Sequence, residues 1–319
     1  MEAAMDSFLD VVLTANSLFV GVAVLALGIA IATVAVLYVV DVSQTRHTVR
    51  RNYPVIGRFR YAFEYLGEFF RQYLFALDRE EMPFNRAQRA WIYRASKNID
   101  ATVAFGSTRA LRVPGELIFV NAPFPTLDEE AVAPHPVEIG GGYCRHPYRQ
   151  DAVLNISAMS FGALSVPAIR ALSLGAAKAG CWLNTGEGGL SPHHLAGGCD
   201  VVFQIGTAKY GVRDAAGHLD DDRLRAVAAL PQVRMFEIKL SQGAKPGKGG
   251  ILPGAKVTPE IAAIRGIPVG QDSISPNRHV EFDDCDGLLD MIERVRAVTG
   301  KPTGFKTVFG DFDWFDDLC

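Results

Sequence analysis

Val153-Leu-Asn-Ile-Ser-Ala-Met-Ser-Phe-Gly-Ala-Leu-Ser165, followed by Val166 to Gly180 and then by Trp182-Leu-Asn184, decides the fold class. Val153 to Ser157 reads as a short apolar strand, and Ser157 to Ser165 as a polar, glycine-bearing loop. Pro167 to Lys178 has apolar residues at 168, 171, 172 and 176, the spacing of a helix face, and Gly180 is a helix stop. Trp182 restarts a strand. The alternation continues with a strand at Val201 to Ile205, a helix at Asp221 to Leu230 and a strand at Val233 to Leu240. Helices at Thr258 to Ile264 and Cys285 to Val298 follow, then a strand at Phe305 to Val308. The last helix aligns Leu288, Ile292, Val295 and Val298 and stops at Gly300. Strands alternating with helices make βαβ units and a parallel sheet. No dinucleotide fingerprint follows the first strand, where Gly162 stands alone. The expected fold is therefore an α/β (β/α)8 TIM barrel rather than a doubly wound sheet. A full barrel needs about 250 residues. Ala152 to Cys319 falls well short of that, so the barrel is expected to be incomplete after its fifth strand.

Upstream, Val11 to Val40 holds no charged residue. Leu18 to Val40 forms a helix of about 35 Å, enough to cross a hydrocarbon core of about 30 Å. A cleaved signal would carry a basic start, whereas Glu2, Asp6 and Asp10 precede this run, so an uncleaved anchor is expected. The first basic residue is Arg46, and Arg50, Arg51, Arg58 and Arg60 come directly after it. That bias places everything beyond Val40 on the cytoplasmic side of a single-pass membrane protein. Residues 1–45 are thus read as the anchor, 46–150 as a juxtamembrane helical or irregular segment, and 151–319 as the barrel. Within 46–150, Asn52 to Asn98 mixes Arg with aromatics. It reads as one or two amphipathic helices, packed on the main domain or lying at the lipid surface.

Composition excludes several classes. Of 319 residues 49% are hydrophobic and 21% charged, and the net charge is −3. The chain is not disordered and has no global basic footprint for nucleic acid. Its mean hydropathy of +0.12 is raised by the one apolar run. The cysteines at 144, 181, 199, 285 and 319 have no zinc or redox spacing. His193-His194 with Cys199 does not make a metal set, because adjacent histidines on one backbone seldom face one ion.

Three further stretches bear on chemistry. Asn184-Thr-Gly-Glu-Gly-Gly189 closes a strand, and Glu187 is its one ionisable group. Ser241 to Gly254 holds five glycines and exceeds an ordinary βα connection. It is not a Walker A loop, since Gly249 follows Lys248, but its N–H groups and Lys245 or Lys248 suit an anion. Lys239 and Lys306 each sit in an apolar strand, pointing either into the helix layer or inward toward an anion. Arg265 ends a helix, where a cation caps the dipole or serves as a ligand.

Ser157 to Ser165, Asn184 to Gly189, Lys239-Leu-Ser-Gln-Gly-Ala-Lys-Pro-Gly247, Lys256 to Arg265 and Ile274-Ser-Pro276 together resemble, in order and spacing, the FMN-binding domain of glutamate synthase. The N-terminal part is similar to the membrane-tethered proteins of that family. The resemblance implies an FMN-carrying TIM barrel that reduces the imine of 2-oxoglutarate and ammonia to glutamate. It implies Ser157, Ala158 and Met159 along the flavin ring, with Asn184, Thr185 and Gln242 also binding the cofactor. It implies Glu187, Lys239 and Lys306 as catalytic residues, and Lys245 and Arg265 on the substrate carboxylates. The sequence departs from the family in four ways. The family's glutaminase half, with its N-terminal cysteine, has no counterpart, so ammonia is expected from elsewhere. Lys248 and Ile251 replace a glutamate and a glutamine of the substrate loop. The cysteines do not support the family's iron–sulfur cluster, and the later phosphate loops have no counterpart. Electrons come from a partner protein or NAD(P)H. Two alternatives stay open: an FMN oxidoreductase acting on another substrate, and an inactive, truncated membrane protein.

Overall fold

In a computed structural model, the described residues are 2–70, 74, 80, 82–100, 111–112, 114–118, 120, 122–243, 247, 249–310 and 313–318. The chain divides into two units, Met1–Val120 and Asn121–Cys319.

The first unit is helical. Helix α1 (Glu2–Ser43) contains the stretch Leu13–Ser43, which is long and apolar enough to cross a membrane and has none of its most apolar window buried. Two shorter helices, α2 (Thr48–Asn52) and α3 (Ile56–Phe70), follow, and then α4 (Arg86–Ala95). The end of α1 is tied to α3 by one buried carboxylate. Asp41 receives two guanidinium nitrogens of Arg58, at 2.7 and 2.9 Å, and the backbone N–H of Val55 at 3.0 Å. An α4 capping box, Asn85 with Gln88, marks that helix's start.

The second unit opens with a ribbon of β1 (Val137–Ile139) and β2 (Tyr148–Gln150), paired antiparallel. Next come α5 (Val166–Ala179), β3 (Leu183–Asn184), α6 (Pro192–Leu195), β4 (Val201–Ile205), α7 (Asp221–Ala228) and β5 (Val233–Lys239). Then follow β6 (Ile251–Leu252), α8 (Pro259–Arg265), β7 (Ser273–Ile274), α9 (Cys285–Thr299), β8 (Thr303–Lys306) and α10 (Asp313–Leu318). Strands β3, β4, β5 and β8 form one parallel sheet in that order. The expected first strand at 153–157 is shorter than its sequence suggests. Only Ile156 bridges in parallel to Leu183, because neighbouring apolar side chains such as Val153 and Leu154 stay exposed. The last strand likewise starts at Thr303 rather than Phe305, directly after the buried Pro302.

The helices lie on one face of this sheet. Phe203, Ile205, Phe236 and Ile238 point to one side, where Leu224 and Ala228 of α7 and Leu288, Met291 and Val295 of α9 meet them. Leu183 and Val201 meet Ala176 of α5 in the same way. Alternation then sends Asn184, Val202, Gln204, Met235, Glu237, Lys239 and Lys306 to the opposite face. Five strand positions in chain order, with helices on one side, make a singly wound parallel array. That arrangement leaves a polar inner face, and it is the feature that positions the site.

Helix ends follow local chemistry. Gly180 and Gly300 adopt the left-handed conformation just past α5 and α9, which only glycine enters without strain. Thr258 caps α8 by accepting the N–H of Ile261 at 3.3 Å. Because α8 ends on Arg265, the cap also sets a site residue. Thr258→Ala is expected to lower stability by about 1 kcal/mol. In a domain of this size that is a fall of roughly 2–4 °C in melting temperature, checked by thermal circular dichroism. An unchanged melting temperature would show that the cap is energetically silent.

Candidate functional site

The C-terminal ends of the strands carry the site residues, as they do in open and closed parallel α/β sheets. Lys239 ends β5 on the inner face. Its ammonium donates to Glu187 Oε2 at 2.9 Å and to Gln242 Oε1 at 2.9 Å, and the Gln242 amide donates back to Glu187. Three residues from two strand-end loops thus close one hydrogen-bonded ring. Sequence alone left the direction of Lys239 and Lys306 open. The register pairs Lys306 with Lys239 on neighbouring strands, so both point away from the helix layer. Two half-buried cations side by side repel one another, and Glu187 neutralises only the first.

Small residues let the loops close on these groups. A Cβ on Gly250 would collide with Glu187 Oε1, and one on Gly206 would lie 2.6 Å from Glu187 Cβ. Gly188 presses on Arg265 in the same manner, with Nη2 at 3.0 Å from where a Cβ would sit.

Arg265 is 5% exposed. It donates from Nη1 to Ser273 Oγ at 3.1 Å and from Nη2 to the Phe161 carbonyl at 3.2 Å. Its guanidinium lies over the Tyr210 ring, 5.1 Å from the centroid, and Ser273 donates to the Tyr210 hydroxyl at 2.8 Å. Nε has no partner among the described residues. Burial lowers its pKa from the ordinary arginine value, against the opposing pull of Tyr210 and Glu187. A buried cation held by neutral acceptors is electrostatically unfinished.

Beneath this ring, further down the inner face, Glu237 accepts from the Asn184 amide at 3.0 Å and from the Gln204 amide at 2.5 Å. Gln204 Oε1 is buried without a partner among the described residues. Thr185 Oγ1 accepts the Gln204 N–H at 3.0 Å, and Asn184 Oδ1 accepts the Gly186 N–H at 2.9 Å. Asn184 and Thr185 are buried at the strand end. A small cavity of about 170 Å³ borders Glu237, Met235, Val202 and Gly304. Met159 is stitched to this strand end through its N–H to the Asn184 carbonyl at 3.1 Å, whereas Ser157 is exposed and Ala158 half-buried. Lys245, and with it Lys248, lies outside the described residues.

Gln204, Glu237, Tyr210 and Ser273 were missed in the sequence reading. The first two are single polar residues set between buried apolar neighbours, Gln204 between Phe203 and Ile205 and Glu237 between Phe236 and Ile238. Tyr210 and Ser273 carry no local signal. Ser273 is brought in by the antiparallel pairing of β6 with β7, which folds the glycine-rich segment back on itself.

His193, His194 and His279 are each held by a hydrogen bond or an ion pair. His194 donates from Nε2 to the Met159 carbonyl at 2.8 Å, leaving Nδ1 to accept from Ser191. His193 sits 2.9 Å from Glu260. His279 donates from Nε2 to the Lys239 carbonyl at 2.9 Å and faces the ion pair of Lys209 with Glu281 (3.0 Å). Burial lowers the pKa of both His194 and His279, against the upward pull of those carbonyls. The unfolded chain protonates both near pH 6.5, and the fold resists doing so. The unfolded state then binds more protons, so the contribution of these two groups to stability is constant above that pH and falls below it. The slope is up to about 1.4 kcal/mol per pH unit for each group until the folded pKa is reached. A urea midpoint measured from pH 7.5 down to 5.5 is expected to drop, in a window above the carboxylate range (about 4). Equal midpoints would contradict neutral, buried imidazoles.

With strand-end loops, a buried arginine and a polar inner face in place, the second unit has the layout of a mixed α/β protein with a parallel sheet. Comparison places it more closely. The conserved region in glutamate synthase matches residues 127–311, and the chain belongs to the glutamate synthase family. The glutamate synthase large subunit-like protein YerD of Bacillus subtilis is 38% identical over 89% of this chain and 61% of its own length. The archaeal-type glutamate synthase [NADPH] of Thermotoga maritima is 38% identical over 47% of this chain and 27% of its own. A glutamate synthase large subunit-like protein of Rhizobium meliloti is 30% identical over 61% of this chain and 42% of its own. The chain thus spans about three fifths of the first relative and about a quarter of the second.

Proposed function

We propose that the second unit carries the flavin- and substrate-binding face of a glutamate synthase-type oxidoreductase, built on the first strands of a (β/α)8 barrel. The observation that carries this reading is the closure of Glu187, Lys239 and Gln242 into one ring at the strand ends. The inner face fits a planar, hydrogen-bonding ring system. Gln204 offers an unspent buried oxygen, and Lys306 a cation beside Lys239. Ser157, Ala158, Met159, Asn184, Thr185 and Gln242 are the residues proposed to hold FMN. When bound, FMN would supply the hydride that turns the imine of 2-oxoglutarate and ammonia into glutamate. Lys239 keeps one N–H beyond those given to Glu187 and Gln242, and so holds a proton at the strand end. Lys306 provides the charge that favours a reduced, anionic ring. Arg265, with Lys245, binds the carboxylates, since its fork matches one bidentately.

Ile251 favours a second substrate. It lies in β6, paired with Ile274, and is 48% exposed at the loop where the resemblance expects glutamine. A less polar 2-oxo acid than 2-oxoglutarate suits that wall. Reducing the bound flavin anaerobically and adding 2-oxoglutarate with ammonium tests both readings through return of the flavin absorbance. Reoxidation is the expected result. Reoxidation only by other 2-oxo acids selects the second reading, and a protein that purifies without flavin overturns both.

We also propose that α1 is a single-pass anchor with Arg46 onward in the cytoplasm. The supports are its length and the five arginines that follow its apolar stretch. Protease added outside intact cells is expected to leave residues beyond 46 uncut, and cleavage there would reverse the orientation.

A further inference from the structure

Helix α3 carries a stripe that its own unit does not cover. Ile56, Phe59, Phe63 and Leu66 recur at i, i+3, i+7 and i+10, which puts them within one narrow face. They are 72%, 59%, 68% and 42% exposed. The opposite face meets α2 through Gly57, which abuts the backbone of Val49, and through Tyr61, on which Arg50 stacks at 4.9 Å. Exposed Arg60 and Glu64 pair at 2.9 Å on the polar flank beside the stripe. An amphipathic helix in water turns its apolar face inward; this one turns it out.

Two observations select what covers it. The first is continuity. The buried Asp41, bound by both Arg58 and the Val55 N–H, fixes the start of α3 to the end of the apolar α1. A charged clamp that ties two helices so close to the last apolar residues of α1 holds α3 at the level where a bilayer's headgroups begin. The second is charge. Arg46, Arg50 and Arg51 cluster here beside Arg58 and Arg60, which are paired with Asp41 and Glu64, and no Lys or Arg comes earlier in the chain. Such a basic, aromatic and aliphatic mixture matches an anionic interface, whereas a second copy of the same cationic segment would be repelled.

We infer that α3 lies in the membrane plane with Ile56, Phe59, Phe63 and Leu66 sunk to the boundary of headgroups and acyl chains of an anionic bilayer. The Asp41–Arg58 clamp sets the elbow between the spanning and the interfacial helix. The inference rests on α1 spanning the membrane.

Full-length protein in phosphatidylglycerol–phosphatidylethanolamine vesicles, with bromine either high or deep in the acyl chains, gives the test. Leu25→Trp reports on α1, Phe63→Trp on the stripe and Glu64→Trp on the polar flank, each read against the native tryptophans. Expected are quenching of Leu25→Trp by deep bromine and of Phe63→Trp by shallow bromine, the latter by about twofold, with little effect at Glu64→Trp. Ile56→Trp repeats the stripe measurement should Phe63→Trp fold poorly. If Leu25→Trp is quenched while Phe63→Trp and Ile56→Trp match Glu64→Trp, the stripe is covered by protein and the inference is overturned. If Leu25→Trp is not quenched, the spanning reading itself fails and the inference with it.

Discussion

Lys239→Met is expected to lower kcat by about 10²- to 10³-fold while leaving the flavin bound. The ammonium it removes is the donor to both Glu187 and Gln242, so its loss opens the ring at the end of β5. Methionine matches the aliphatic stem but leaves the Glu187 carboxylate with only the Gln242 amide in a half-buried place. A neutral Glu187→Gln partner separates the two contributions. If Lys239 acts by its own proton, the double variant stays as slow as Lys239→Met. If Lys239 only neutralises Glu187, the double variant recovers. The measurement is single-turnover flavin reoxidation, and a kcat within about threefold of the parent would remove Lys239 from the chemistry.

Arg265→Ala is expected to raise KM for the 2-oxo acid by roughly 30- to 5,000-fold, the equivalent of about 2–5 kcal/mol for losing one side of a buried charged pair. Flavin content is expected to stay near the parent's. The guanidinium contacts the Phe161 carbonyl, Ser273 and the Tyr210 face and pairs with no carboxylate among the described residues, which is what the proposed role in carboxylate binding requires. Arg265→Lys is the informative companion, because it keeps a charge and loses the fork and the stacking on Tyr210. Its KM is expected between those of the parent and the alanine variant. An unchanged KM in both, with normal flavin and an unchanged melting temperature, would assign Arg265 to packing alone.

Much of the second unit was legible in the sequence because its signals are local. Helix α9 shows its face through Leu288, Ile292, Val295 and Val298, and it starts and stops at Asp284 and Gly300 through capping chemistry that needs no distant partner. Strands β4 and β5 announce themselves by apolar runs. The first strand was overestimated. Val153 and Leu154 are apolar, but they lie exposed, and Ile156 alone reaches Leu183. The glycine-rich segment after Lys239 was read as a loop throughout, yet Ile251 and Leu252 pair with Ser273 and Ile274. A two-residue ladder is too short to leave a period in the sequence.

The motifs also name Glu187, Lys239, Gln242 and Arg265, of which the fold joins the first three by hydrogen bonds and buries the last. What they touch was decided elsewhere. Whether Lys239 and Lys306 face the helices or the interior depends on register, and a shift of one residue would exchange the two faces of the strand. Gln204 and Glu237 are unremarkable letters until the pairing of β4 with β5 sets them side by side. Tyr210 and Ser273 are 63 residues apart and meet over Arg265 only because β7 returns beneath the loop. Sequence by itself determined element type, helix ends and the apolar N-terminal helix, since each depends on neighbours within a turn or two of chain. Tertiary structure decided direction and partnership, since burial, pairing register and the balance of charge around a buried group belong to segments that meet only when the sheet is assembled.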